Sequence, residues 1–123
     1  SVDLGDVEYI YGFSDVDKVQ KLFPEIAKSQ GNPVRIKVGK KSRLIYTSEK
    51  GPIYKETDKE SYRESRHVSG DQYPINGDIT LVGDHIVMLS LDGDKPFGVT
   101  IKSAPLTSAM RAMFELAWIA AGK

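Results

Sequence analysis

A chain of 123 residues with 40% hydrophobic and 28% charged content is long enough to fold around a core of its own. Seventeen Lys and Arg balance seventeen Asp and Glu, so the formal net charge is zero, without the basic excess of a domain built to bind nucleic acid. The absence of cysteine excludes disulfides, thiolate metal sites and a thiol nucleophile, and no apolar run approaches the roughly 20 residues of a membrane span.

No signal-peptide pattern opens the chain, and together with the lack of cysteine this fits a cytoplasmic protein. Ser1 stands where an initiator Met would, which points to a piece of a longer protein. Val7–Phe13 is β-branched and aromatic and predicts a first strand. Ser14 is the expected N-cap of a helix, with Asp17 three residues on as a weak form of the capping box. Val16, Val19, Leu22, Phe23 and Ile26 recur at helical spacing, and Pro24 kinks this helix or starts a second short one. Gly31-Asn32-Pro33 ends it. Pro33–Val38 alternates apolar and basic residues with period two and predicts a strand with one wet face. Residues 40–48 are ambiguous, with Leu44–Tyr46 suiting either a short strand or the start of a helix. After the Gly51-Pro52 turn, the charge-rich stretch Tyr54–Arg66 predicts a surface helix, and His67-Val68 can open a short strand.

Ile79–Val82, His85–Leu91 and Phe97–Lys102 predict three strands, joined by the turn residues Gly83-Asp84 and Asp92–Pro96 into an antiparallel meander. A closing helix is expected over Pro105–Ala121, with Ser103 or Ala104 as its cap, Pro105 in its first turn and Gly122 as its stop. The elements add up to one α/β (mixed α+β) domain over residues 1–123: a strand–helix–strand unit, a surface helix, a meander and a C-terminal helix.

Few side-chain patterns point to chemistry. Gly39-Lys40-Lys41-Ser42 resembles the end of a phosphate-binding loop, but Val34 stands where that motif needs glycine, which favours a basic loop. Arg35, Lys37, Lys40, Lys41 and Arg43 form the densest basic run, either an anion site or a solvated strand face. His67 and His85 lack neighbours at metal-ligand spacing, and Asp92 and Asp94 lack the remaining positions of a calcium loop. Arg63 and Arg66 would share one side of the predicted surface helix, ahead of Asn76 and Asp78 at the start of the meander. That grouping is a ligand-binding cluster or a structural ion pair. Met110, Met113, Phe114 and Trp118 lie on one face of the last helix and serve as core or as a homodimer interface.

Five segments follow one another in a familiar order: Ser61–Arg66, Tyr73–Ile79, Val82–Ser90, Phe97–Ser103 and Met110–Trp118. From about Asp58 to Ala121 the chain resembles the C-terminal effector region of TrmB-type transcriptional regulators. The resemblance implies a phospholipase-D-like fold, placed in such regulators behind an N-terminal winged helix that binds DNA. It implies a non-catalytic region that senses a small molecule, sugar-like or anionic, and helps form a homodimer. No cofactor or metal is expected, and DNA would be reached only through the missing N-terminal domain. Active phospholipase-D-like enzymes carry His-x-Lys-x4-Asp at the matching place. Here Asn76 falls at the His position, Asp78 at the Lys position and Gly83 at the Asp position. Without the nucleophile, and with a carboxylate where a cation should hold phosphate, this implies a retired site. Arg63, Arg66, Asn76 and Asp78 are the expected ligand residues, and Met110, Phe114 and Trp118 the expected dimer residues. Two rivals stand: a stand-alone interaction module, and a divergent phosphodiesterase using His67 or His85.

Overall fold

Six strands form one sheet with helices on both faces; the computed structural model describes residues 9–25, 33–91 and 93–123. In chain order these are β1 (Tyr9–Asp15), α1 (Val16–Leu22), α2 (Pro33–Lys37), β2 (Lys41–Thr47), β3 (Arg63–His67), β4 (Gly77–Val82), β5 (His85–Ser90), β6 (Phe97–Lys102) and α3 (Ala104–Ala121). The strand order is β3-β2-β1-β4-β5-β6. One half, β1 to β3, is parallel, and β1 pairs β2 from Tyr9↔Lys41 to Asp15↔Thr47. The other half, β4 to β6, is the expected antiparallel meander, and its first strand runs against β1 with Ser14 opposite Asp78.

The hairpin between β4 and β5 turns on Gly83-Asp84. Gly83 has φ +60 while Asp84 stays out of the left-handed region, the pattern of a type II′ turn, which matches strand twist. The Ser103 side chain caps α3 by accepting from the Leu106 amide at 3.2 Å, with Pro105 in the first turn. Phe114 and Trp118 stack at 5.8 Å and pack on Ile45, with Tyr11 and Phe13 of β1 beside them. This is the centre of the α3 face.

Three local expectations need correction, and one open reading is resolved. Pro33–Val38 is not a strand: Pro33–Lys37 is helical. Its end explains why. Gly39, at φ +71, bonds the Ile36 carbonyl while the Lys40 amide reaches back to the Arg35 carbonyl, the paired bonds of a Schellman stop. A five-residue helix is too short for its apolar period to differ from alternation. Tyr54–Arg66 is not a surface helix either. Residues 54–62 run through turns, and β3 follows. The Asp58 carboxylate takes the backbone amide and hydroxyl of Ser65, and Tyr62 adopts φ +48, so side-chain bonding replaces the helical ladder. Lys41–Thr47, left open between strand and helix, is a strand. Finally, Asp15 rather than Ser14 caps α1, because β1 continues through Asp15. Val7, Ile26, Gly31, Asn32 and Asp92 lie outside the described residues.

Candidate functional site

The ends of β1, β2 and β3 all point the same way, and beyond them opens a polar cleft of about 430 Å³. Crevices outside the carboxyl ends of parallel strands are the usual ligand positions of open α/β sheets. The turn from β1 into α1 supplies Asp15, Asp17 and Lys18, the turn after β2 supplies Glu49, and the end of β3 supplies His67, with Asp71 beyond it. Backbone bonding holds several of these in place. Asp15 Oδ1 accepts from the Lys18 amide at 3.2 Å, and Asp17 Oδ2 accepts from the Glu49 amide at 2.7 Å, fastening the β2 turn to α1. The His67 ring sits edge-on to Tyr46 at 5.4 Å, and its Nε2 lies 3.2 Å from the Ser48 carbonyl. A carbonyl only accepts, so Nε2 carries the proton in that bond.

None of the four expected ligand residues lines this cleft, though Asn76 bonds Lys18 of its lining and Asp78 bonds Ser14, next to Asp15. Asn76, in a left-handed conformation at φ +53, accepts a hydrogen bond from Lys18 Nζ through its side-chain oxygen. Asp78 lies at the seam where strand direction reverses. Ser14 Oγ donates to its Oδ2 at 2.7 Å, and Thr80 Oγ1 donates weakly to Oδ1 at 3.4 Å. Burial raises the Asp78 pKa above the ordinary carboxylate value, and the two hydroxyls oppose that rise.

Arg63 and Arg66 are elsewhere, on opposite faces of β3, because strand residues three apart point opposite ways. Arg63 is buried. Its Nε meets Asp58 Oδ1 at 2.6 Å, its Nη2 donates to Thr57 Oγ1 at 3.0 Å, and it covers the Tyr54 ring at 4.3 Å. It forms a structural ion pair, but with Asp58 and not with the Asp78 that the sequence set beside it. Arg66 lies over the Trp118 ring at 4.1 Å and donates to the Trp118 carbonyl. It therefore places a cation at the carboxyl end of α3, whose own last turn has none.

The basic run is likewise divided. Arg35 is buried and donates through Nη1 to the Lys40 and Tyr62 carbonyls, at 2.8 and 3.1 Å. Desolvation, and then the neighbouring Arg63, lower its pKa from the usual arginine value. Arg43 is on the α3 face between Glu64 and Glu115, at 3.7 and 3.5 Å. Arg35 and Arg43 are thereby engaged inside the chain and apart from one another. The two histidines are also apart: His67 lies at the cleft, while His85 lies beside Asp84 at the opposite end of the sheet. Among the described residues no group of three or more His, Cys, Asp or Glu could hold a metal ion.

Phe114 and Trp118, expected at a dimer interface, are spent inside the chain at 7% exposure each, and Met110 is half-buried beside them. The apolar residues left in solvent on α3 are Leu106, Met113, Leu116 and Ile119. Sequence reasoning also missed the cleft carboxylates. Their signal was positional: Asp15 ends β1, and Asp17 and Glu49 lie two residues past the ends of β1 and β2, but residues 41–47 had to be recognised as a strand first.

The whole defines a class of fold: a mixed α+β sheet, half parallel and half antiparallel, closed by a long C-terminal helix. No family model matches the sequence, and no curated protein matches it. Among solved structures the chain is similar to TrmBL2, an archaeal chromatin protein that shows a novel mode of DNA binding. The TM-score is 0.58 at 17% identity, over 94% of this chain and 45% of that one. At that identity the likeness shows a shared fold, and this chain spans under half the neighbour's length. No helix among the described residues is long and apolar enough to cross a membrane.

Proposed function

We propose that this chain is the non-catalytic effector-binding and dimerising region of a TrmB-type transcriptional regulator in the cytoplasm. The observation that carries the reading is the fold shared with TrmBL2 across 94% of the chain, in agreement with the TrmB-like segments of the sequence. A phospholipase-D-like ancestry belongs to the same proposal, with Asn76 and Asp78 where an active enzyme needs His and Lys. DNA contact falls to a winged helix outside this sequence, as the zero net charge supports.

The cleft is the proposed effector site. Among the described residues that line it, Asp15, Asp17, Glu49 and Asp71 stand against Lys18 as the one fixed positive charge. Such a lining repels an anion, so of the two expected effector classes the neutral, sugar-like one fits. Carboxylates accept from hydroxyl groups, and Lys18 and the backbone amides donate to them. Binding regulates only if the effector prefers one arrangement of the dimer, and so of the DNA-binding domains, over another.

Calorimetric titration of neutral mono- and disaccharides, with inorganic phosphate as the anionic control, tests the assignment. Binding of a sugar that weakens at least tenfold in Glu49→Ala and Asp71→Ala is the expected result. No sugar binding, or binding indifferent to both substitutions, removes the effector assignment. Hydrolysis of bis-p-nitrophenyl phosphate that disappears in His67→Ala or His85→Ala would replace the regulator reading with the phosphodiesterase one.

A further inference from the structure

The two edges of the sheet are treated differently. At β3 two of the outward amides are taken up: Arg63 N–H bonds the Asp58 carbonyl at 2.9 Å, and Ser65 N–H bonds the Asp58 carboxylate at 3.1 Å. The strand is also charged, with Arg63, Glu64 and Arg66 in five residues. These are the devices by which a sheet edge is closed to further pairing. At β6 the only such device is the terminal Lys102. The strand Phe97–Lys102 is apolar or neutral until its last residue, has no internal proline, and five of its six residues are exposed. Among the described residues its outer edge has no partner. Phe97 and Val99 stand 59% and 42% exposed on the face that α3 covers farther along, since Val99 pairs Met88 and Met88 pairs Ile79 beneath the helix.

We propose that β6 is the dimerisation edge, pairing antiparallel with β6 of a second copy to join two six-stranded sheets into one. The proposal rests on the dimerising part of the function above and gives it a surface. Backbone chemistry sets the kind of partner, because a row of open amides and carbonyls is satisfied by another extended strand. Symmetry favours a second copy. An antiparallel pair about a twofold axis is self-complementary, and directly opposed residues must share a face. The axis therefore passes between a residue and its own copy, at the strand centre either Val99 with Val99 or Thr100 with Thr100.

The same operation places the start of α3 of one copy over the outer end of β6 of the other. Leu106, 53% exposed in the helix's first turn, then covers Phe97 of the second copy, and the contact occurs twice. Edges roughly 20 Å long, with the open halves of Phe97 and Leu106 from each copy, bring the buried total to about 1,000 Å², where specific interfaces begin.

Two measurements on the full chain decide it. Light scattering after size exclusion should give two chains for the wild type and one for the double variant Phe97→Lys/Val99→Lys, with unchanged far-ultraviolet circular dichroism in both. Leu116→Lys/Ile119→Lys, on the solvent side of α3, should stay dimeric. The chain has no cysteine, so single-cysteine variants report unambiguously. On oxidation Val99→Cys or Thr100→Cys should cross-link in high yield and Leu116→Cys should not. A dimer that survives the β6 double variant, or that cross-links through Leu116→Cys alone, overturns the edge pairing and leaves dimerisation standing. A wild type that is one chain at every concentration overturns both.

Discussion

Arg63 and Arg66 are the same residue type on one short strand, yet they serve regions built by different rules. Arg63 belongs to the face packed against residues 54–62. Its partners, Asp58, Thr57 and Tyr54, all lie within nine residues of it in the chain. Arg66 belongs to the α3 face, and its partner carbonyl on Trp118 is 52 residues away. The first region is a local polar clasp that shuts a sheet edge. The second is a long-range apolar layer in which a single cation finishes a helix. The difference teaches that the clasp is an ion pair costly to halve, whereas the capped helix stands mainly on burial and uses Arg66 as an adjustment.

Removing half of the clasp should have the largest effect. Asp58→Ala leaves the Arg63 guanidinium, 6% exposed, without its counter-charge and frees the Ser65 amide. Loss of one partner from a buried pair costs about 3 kcal/mol here, at the low end because Asp58 keeps some solvent contact. That is roughly a 10 °C fall in Tm for a chain of this size. Thermal melts followed by circular dichroism give the number, and a fall of only a degree or two would make the two regions alike.

Arg66→Ala should cost less, about 1–2 kcal/mol, by removing a stacked cation and a helix-terminal charge together. Arg66→Lys keeps the charge but not the planar stacking, and should recover only part of the loss in urea unfolding. Full recovery by lysine would assign the whole effect to charge at the helix end.

The smallest effect belongs to Asp78, at the seam between the parallel and antiparallel halves. Its folded pKa lies above the unfolded value of about 3.8, so the native state holds the proton more tightly. Stability from this group is fully present below pH 3.8 and is lost as pH rises through the folded pKa, each unit of displacement being worth about 1.4 kcal/mol. Asp78→Asn removes the titration and keeps an oxygen for Ser14. The variant should be more stable than wild type at pH 7, with the advantage shrinking toward pH 4. Urea midpoints across that range check it, and an Asn variant less stable at pH 7 would reverse the sign.

The same division of local from distant contacts governs what could be read from the residues. The meander and closing helix were legible because turn glycines, alternation and the Ser103-Pro105 cap act within a few residues. Residues 33–37 and 54–62 were not. The short helix carries too few turns to show its period, and Asp58 diverts backbone amides that composition alone would assign to a helix. Arg63 and Arg66 were grouped wrongly as ligand residues on one helix side, since moving them from helix to strand sends them to opposite faces and into separate contacts. Asn76 and Asp78 stop short of the cleft lining, one bonded to Lys18 and the other to Ser14. The cleft carboxylates depended on the parallel register of β1 and β2, a pairing between residues 32 apart that no local pattern encodes.

The chain is made from its amino end, and α3 supplies the Phe114 and Trp118 that close the core over Ile45. Until residue 118 has left the ribosome, the sheet can be complete in hydrogen bonds and still present a bare apolar face. A chain cut short before Phe114 should therefore expose Tyr11, Phe13 and Ile45 together, and restoring residues 114–118 should bury them and seat the Trp118 ring under Arg66.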